Sequence, residues 1–136
     1  MIKTINRDTT SLAKSAVKAT RADKQVITDL IDTLKFHEDH CVGMAANMIG
    51  INKRIIIVQM GMLGVPMINP LITNKTGSYQ TTEGCLSLAG QRTTTRFTNI
   101  TVQYLDQNFI AHEQQFSGLI AQIIQHEVDH CDGIII

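Results

Sequence analysis

The chain has 136 residues, with 12 Lys plus Arg balanced by 12 Asp plus Glu. That length supports one hydrophobic core, so residues 1–136 are expected to form a single domain. Zero net charge excludes a general electrostatic attraction to nucleic acid or to an anionic membrane.

The apolar runs, such as Ile55-Ile56-Ile57-Val58, fall far short of the roughly 20 residues that cross a bilayer. The segment Met1–Asp8 lacks the apolar stretch and small-residue cleavage site of a signal peptide, and a cytoplasmic location is expected. Its thiols would then be reduced. Three widely spaced cysteines, Cys41, Cys85 and Cys131, do not suggest a disulfide framework, which leaves burial, metal binding and catalysis as their uses.

In chain order, Val26, Ile27, Leu30, Ile31 and Leu34 recur at helical spacing from about Asp23 to His37, with Asp29, Asp32 and Lys35 on the other side. The small-residue stretch Met44–Met48 between Gly43 and Gly50 reads as a loop. Arg54 to Met60 and Met67 to Ile72 read as short strands around a turn at Gly61 to Pro66, and a further turn is expected at Asn74 to Ser78. Ile100 to Leu105 alternates as a half-buried strand, with Phe109 to Phe116 as its possible partner. A helix from about Phe116 to Cys131 closes the chain, with Leu119, Ile120, Ile123, Ile124 and Val128 on one side and Gln122, Gln125 and Asp129 on the other. The expected class is α+β: small mixed or antiparallel sheets around a C-terminal metal-binding helix, with an N-terminal amphipathic helix.

On that closing helix lies His126-Glu127-Val128-Asp129-His130. Residues four apart sit one turn apart on one face, so both imidazoles can meet a single ion. Glu127 projects about 100° around the helix. It is poorly placed to be a ligand but can reach a water in the site, where a general base belongs. The alternative is two solvated histidines on a surface helix. The apolar run before them and the glutamate between them favour a buried metal site. A catalytic metal takes three protein ligands and one open position. Cys131 and Asp132 follow His130 too closely to reach the same face, so the third ligand is sought upstream. Cys85 in Glu83-Gly84-Cys85-Leu86-Ser87 is the best candidate, with Gly84 allowing close backbone approach and a thiolate suiting iron or zinc.

Glu83–Ser87, followed by Gln125–His130, resembles the second and third signature motifs of the peptide deformylase family, and Cys41–Met48 resembles the first. The resemblance implies an enzyme, a metal-dependent amide hydrolase that removes the formyl group from N-formylmethionyl peptides. It implies Fe(II), with zinc or nickel as substitutes, on Cys85, His126 and His130. It further implies Glu127 as the proton carrier and the Leu86 N–H as an oxyanion donor. Val42, Leu86, Leu119 and Ile123 would line the methionine pocket, and Gly43 would pair with the extended peptide. The implied partners are nascent chains and the ribosome, with no nucleic acid and no membrane.

Two residues depart from the family pattern. Cys41 stands where the family has glycine, and Met48 stands where it has a glutamine that donates to the oxyanion. A thioether cannot donate. Asn47 is adjacent but is expected to point elsewhere. Met48 keeps two alternatives open: a deformylase-like paralogue that binds blocked peptides with little or no catalysis, and hydrolysis of a different small amide. The chain ends at Ile136 without the C-terminal helix many members carry, and Ile134–Ile136 are expected to pack as an extended segment.

Overall fold

The structure is a computed structural model that describes residues 1–135. Its N-terminal segment carries one turn of helix, α1 (Thr9–Leu12), capped by the Asp8 side chain, which accepts from the Thr10 N–H. A 3-10 turn at Arg21–Asp23 then leads into α2 (Lys24–Phe36). That entry is fixed reciprocally: the Thr20 hydroxyl accepts from the Ala22 N–H while the Asp23 carboxylate accepts from the Thr20 N–H. Ile27, Leu30 and Leu34 form the buried stripe of α2. Asp29, expected on its polar side, is also buried, where it accepts from Gln25 and from the N-terminal ammonium.

The strands β1 (Gly43–Ala45), β2 (Ile55–Met60), β3 (Leu63–Cys85), β4 (Leu88–Leu105) and β5 (Ala111–Ser117) form one antiparallel sheet in chain order. The α+β class therefore takes the form of one continuous sheet rather than several small ones; a parallel bridge, Val17 to Lys53, lies outside the strands. β2 contacts α2 and α3, which explains why Ile55, Ile56, Ile57 and Val58 are all fully buried rather than alternating. Each such side chain contributes about 1.5–3 kcal/mol of burial.

Three expectations of the strands are corrected. The turn expected at Gly61 to Pro66 spans only Gly61 and Met62, because Leu63 to Pro66 already pair with β2. The stretch 43–50 is not a plain loop: β1 pairs with β2 and runs into a 3-10 turn at Ala46–Ile49. The turn expected at Asn74 to Ser78 does not exist, because β3 runs through it in register with β4, with Thr76 opposite Asn99 and Ser78 opposite Phe97. Its polar, exposed residues look like a turn in sequence, but backbone pairing carries the hairpin there, helped by the Thr98 hydroxyl, which donates to the Gly77 carbonyl at 3.0 Å.

The final helix, α3 (Gly118–Cys131), begins at a glycine with φ of +62°, which swings the chain out of β5 and onto the sheet. Gln125, expected on the solvent side of α3, is instead buried. Its amide donates to the Phe97 carbonyl and accepts from the Phe97 N–H, clamping the helix to β4. Ile135 packs partly against the core and Ile134 is exposed, so the expected terminal packing holds only in part; Ile136 lies outside the described residues.

Candidate metal centre

A β-bulge between Gly84 and Cys85 ends the regular β3–β4 pairing, and a two-residue turn, Leu86-Ser87, follows. Bulges re-aim side chains, and this one aims the Cys85 thiol at α3. The close approach expected at Gly84 is absent, since a Cβ there would meet its nearest neighbour at an ordinary 3.5 Å. Gly43 is the constrained glycine: a Cβ would stand 2.8 Å from Ile123 Cγ2 and 2.9 Å from Glu127 Oε2. Any larger residue there would displace the Ile123 and Glu127 side chains.

Cys85, His126 and His130 converge, with one potential ligand atom from each lying within 4.8 Å of the others. His130 Nε2 is 3.2 Å from both Cys85 Sγ and His126 Nε2. Nitrogens about 2.05 Å from one ion at a tetrahedral angle would stand roughly 3.3 Å apart, so the spacing fits a shared divalent ion. The donor set fits as well, because thiolate with two imidazoles suits iron or zinc. Among the described residues no other group of His, Cys, Asp or Glu forms such a cluster. Cys131 is buried away from it, and Asp132 pairs with Arg54 at 2.6 Å.

Behind the cluster lies a polar network that sequence reasoning passed over. Glu83 accepts from His126 Nδ1 at 2.8 Å, from Gln122 Nε2 at 2.8 Å and from Arg96 Nε and Nη2. Arg96 Nη1 also donates to Asp129 Oδ2 at 2.6 Å. A carboxylate on the far nitrogen of a liganding imidazole fixes its tautomer and strengthens it as a ligand. Burial alone would raise the Glu83 carboxyl, but hydrogen bonds from His126 and Arg96 outweigh it and bring it down to about 2. Burial likewise works against a charged His126, yet Cys85 and Glu83 push it up to about 10, while burial and the neighbouring His126 bring His130 down to about 3.

Glu127 is buried but is not part of the cluster, and its Oε1 has no protein partner. Burial is the main cause that pushes its carboxyl up to about 7. It faces a cleft of about 270 Å³ whose wall includes Val42, Gly43, Leu86, Leu119 and Ile123. All five residues expected to contact substrate therefore share one cleft with Cys85 and His126. Val42 and Leu119 sit at its rim, 51% and 68% exposed. Met48 also lines it, with Sδ accepting from the Ala45 N–H at 3.4 Å. Asn47 points away, its amide donating to the His130 carbonyl at 2.7 Å. The Cys41 thiol donates to the Gly43 carbonyl at 2.8 Å, and burial pushes that thiol up to about 12.

His40, Thr82, Glu83 and Gln122 also line the cleft and were not expected there. Glu83 stood within a recognised motif, two residues before Cys85, and that was the available signal. Arg96 carried none, because a lone charge among threonines in a strand reads as exposed.

Cys and His side chains from a hairpin and a helix converge as a candidate metal site beside a buried carboxylate that lines an open cleft, an arrangement that fits the metal-dependent hydrolase class. The polypeptide deformylase family model matches residues 2–136. A peptide deformylase of Clostridium beijerinckii is 54% identical over 136 residues, covering 100% of both chains. A crystal structure of peptide deformylase from Thermotoga maritima superposes with a TM-score of 0.89 at 28% identity, covering 99% of this chain and 95% of that one. A Met-Ala-Ser-bound class I type b peptide deformylase from Acinetobacter baumannii superposes with a TM-score of 0.86 at 28% identity, covering 99% and 96%. The chain belongs to the polypeptide deformylase family, whose members are metal-dependent hydrolases.

Proposed function

We propose that this chain hydrolyses the formyl group from N-formylmethionyl peptides, with Fe(II) as the ion held by Cys85, His126 and His130 and zinc or nickel as substitutes. The observation that carries the reading is the unpartnered Glu127 Oε1 facing the cleft that Cys85 and His126 also line. A divalent ion bound there supplies Lewis-acid polarisation of the formyl oxygen and acidifies water.

The chain's own residues do the rest. Glu127 takes the proton of the attacking water and passes it to the departing nitrogen, so that the amine leaves neutral together with formic acid, which ionises to formate by giving its remaining proton to the amine or to solvent. Glu83 holds His126 in one tautomer throughout. The Leu86 N–H donates to the oxygen on which charge develops, and Arg7 steadies that turn by donating to the Leu86 carbonyl at 3.1 Å. Val42, Leu86, Leu119 and Ile123 receive the methionine side chain. β1 is an edge strand, and Gly43 offers its backbone to an extended peptide. Nascent chains are the natural source of such peptides, and ribosome proximity and a cytoplasmic location follow from that substrate.

A second reading, binding of blocked peptides with little turnover, is favoured by Met48, which leaves the oxyanion one donor short. Formate release from formyl-Met-Ala-Ser by anaerobically purified protein separates the two. Release with saturation kinetics supports hydrolysis, and binding without release supports the second reading.

A further inference from the structure

Helix α3 places Gln122 four residues, about one turn, before His126, on the face that meets Glu83 and the cleft. It brings a carboxamide to a wall that carries the apolar Leu119 and Ile123 as well as the polar Thr82 and Glu83. One N–H of that amide donates to Glu83 Oε2 at 2.8 Å. Its Oε1 is met only at 3.4 Å by the Tyr79 hydroxyl, the long end of hydrogen-bond range. Its second N–H has no protein acceptor among the described residues, while Gln122 itself is half-buried. A carboxamide has two donor hydrogens, so one donor is left for whatever fills the cleft.

We infer that Gln122 sets the selectivity of the side-chain pocket, admitting first residues whose tip accepts a hydrogen bond, of which methionine sulfoxide is the test case. This deepens the reading above, since it rests on the cleft receiving the first side chain. The sulfoxide differs from methionine by one oxygen on the same chain, so shape changes little while hydrogen-bonding changes fully. An apolar pocket would disfavour that oxygen through its lost hydration; a free N–H beside it returns a partner.

The probes are the tripeptides Met-Ala-Ser and its sulfoxide, titrated calorimetrically into metal-loaded protein, together with hydrolysis of their N-formyl forms. Wild type is expected to bind the sulfoxide within about tenfold of the thioether, and Gln122→Met, which conserves length and volume, to widen that ratio by about tenfold or more. Gln122→Leu should widen it similarly, which covers a failure of the first variant to fold. Tyr79→Phe, which leaves the bond to Glu83 in place, should leave the preference closer to wild type than either. If Gln122→Met weakens both peptides equally, Gln122 acts only through Glu83 and the inference falls. It falls equally if wild type already rejects the sulfoxide by a hundredfold. Binding selectivity that depends on Gln122 without any formate release would uphold this inference and overturn the proposed hydrolysis instead.

Discussion

Met48→Gln tests whether Met48 limits the proposed hydrolysis. Met48 is 1% exposed, and its sulfur already sits 3.4 Å from the Ala45 N–H. Glutamine is unbranched and similar in volume, so it fits the same space without overpacking. Its Oε1 can take over the bond from Ala45, which leaves Nε2 turned toward the cleft as the missing donor. Removing one oxyanion donor costs about 2.7–4 kcal/mol in systems where it has been measured, or roughly a hundred- to a thousandfold in rate. That is the ceiling. A buried amide lacking its partner in the resting state costs about 1–3 kcal/mol, and imperfect aim reduces the gain further. The expected outcome is a rise of at least about tenfold in kcat/KM on formyl-Met peptides, carried mainly by kcat because the bond forms chiefly in the transition state. Met48→Leu, with no donor, should show no rise. An unchanged rate in folded, Fe(II)-loaded Met48→Gln would refute the oxyanion reasoning and favour a different substrate or a binding role.

Glu127→Ala should keep its metal and lose hydrolysis, checked by elemental analysis beside the formate assay; loss of the ion would make Glu127 structural. Cys85→Ala and His130→Ala should each abolish the roughly one metal per chain, whereas Cys131→Ala should keep it, and equal metal in wild type and Cys85→Ala would remove Cys85 from the ligand set. Burial works to raise the Asp29 carboxyl, but the Gln25 amide and the N-terminal ammonium outweigh it and hold the group below its ordinary range. A depressed carboxylate stabilises the fold above its unfolded value of about 3.9 and loses that contribution as pH falls through the lower folded value. Asp29→Asn should therefore cost on the order of 1 kcal/mol near pH 7, with the difference from wild type in denaturant melts vanishing at low pH.

Much of this was legible because helical and metal-ligand spacing are local. Helical spacing singled out His126 and His130, elimination left Cys85, and the family resemblance supplied the cleft residues; the structure brings the first three together and lines one cleft with the others. What was not legible depends on contacts distant in sequence. The β3–β4 hairpin through Asn74–Ser78 is held by backbone pairing that leaves no apolar alternation to read. Gln125 and Asp29 looked solvent-facing because a polar side chain on a helix reveals nothing about a backbone clamp or a terminal ammonium arriving from elsewhere. The Glu83–Arg96–Asp129 network joins three elements, and a charge buried by its partners looks in sequence like any surface charge.

Hydrolysis through one ion held by Cys85, His126 and His130 is the proposed activity. It is tested most directly by removing the metal from anaerobically prepared protein with a chelator and restoring it stepwise while following formate release from formyl-Met-Ala-Ser. Activity should vanish in the metal-free protein and return in proportion to added Fe(II), reaching its plateau at about one equivalent per chain. Release that persists without metal, or that remains absent from folded protein carrying a full equivalent, would contradict the account.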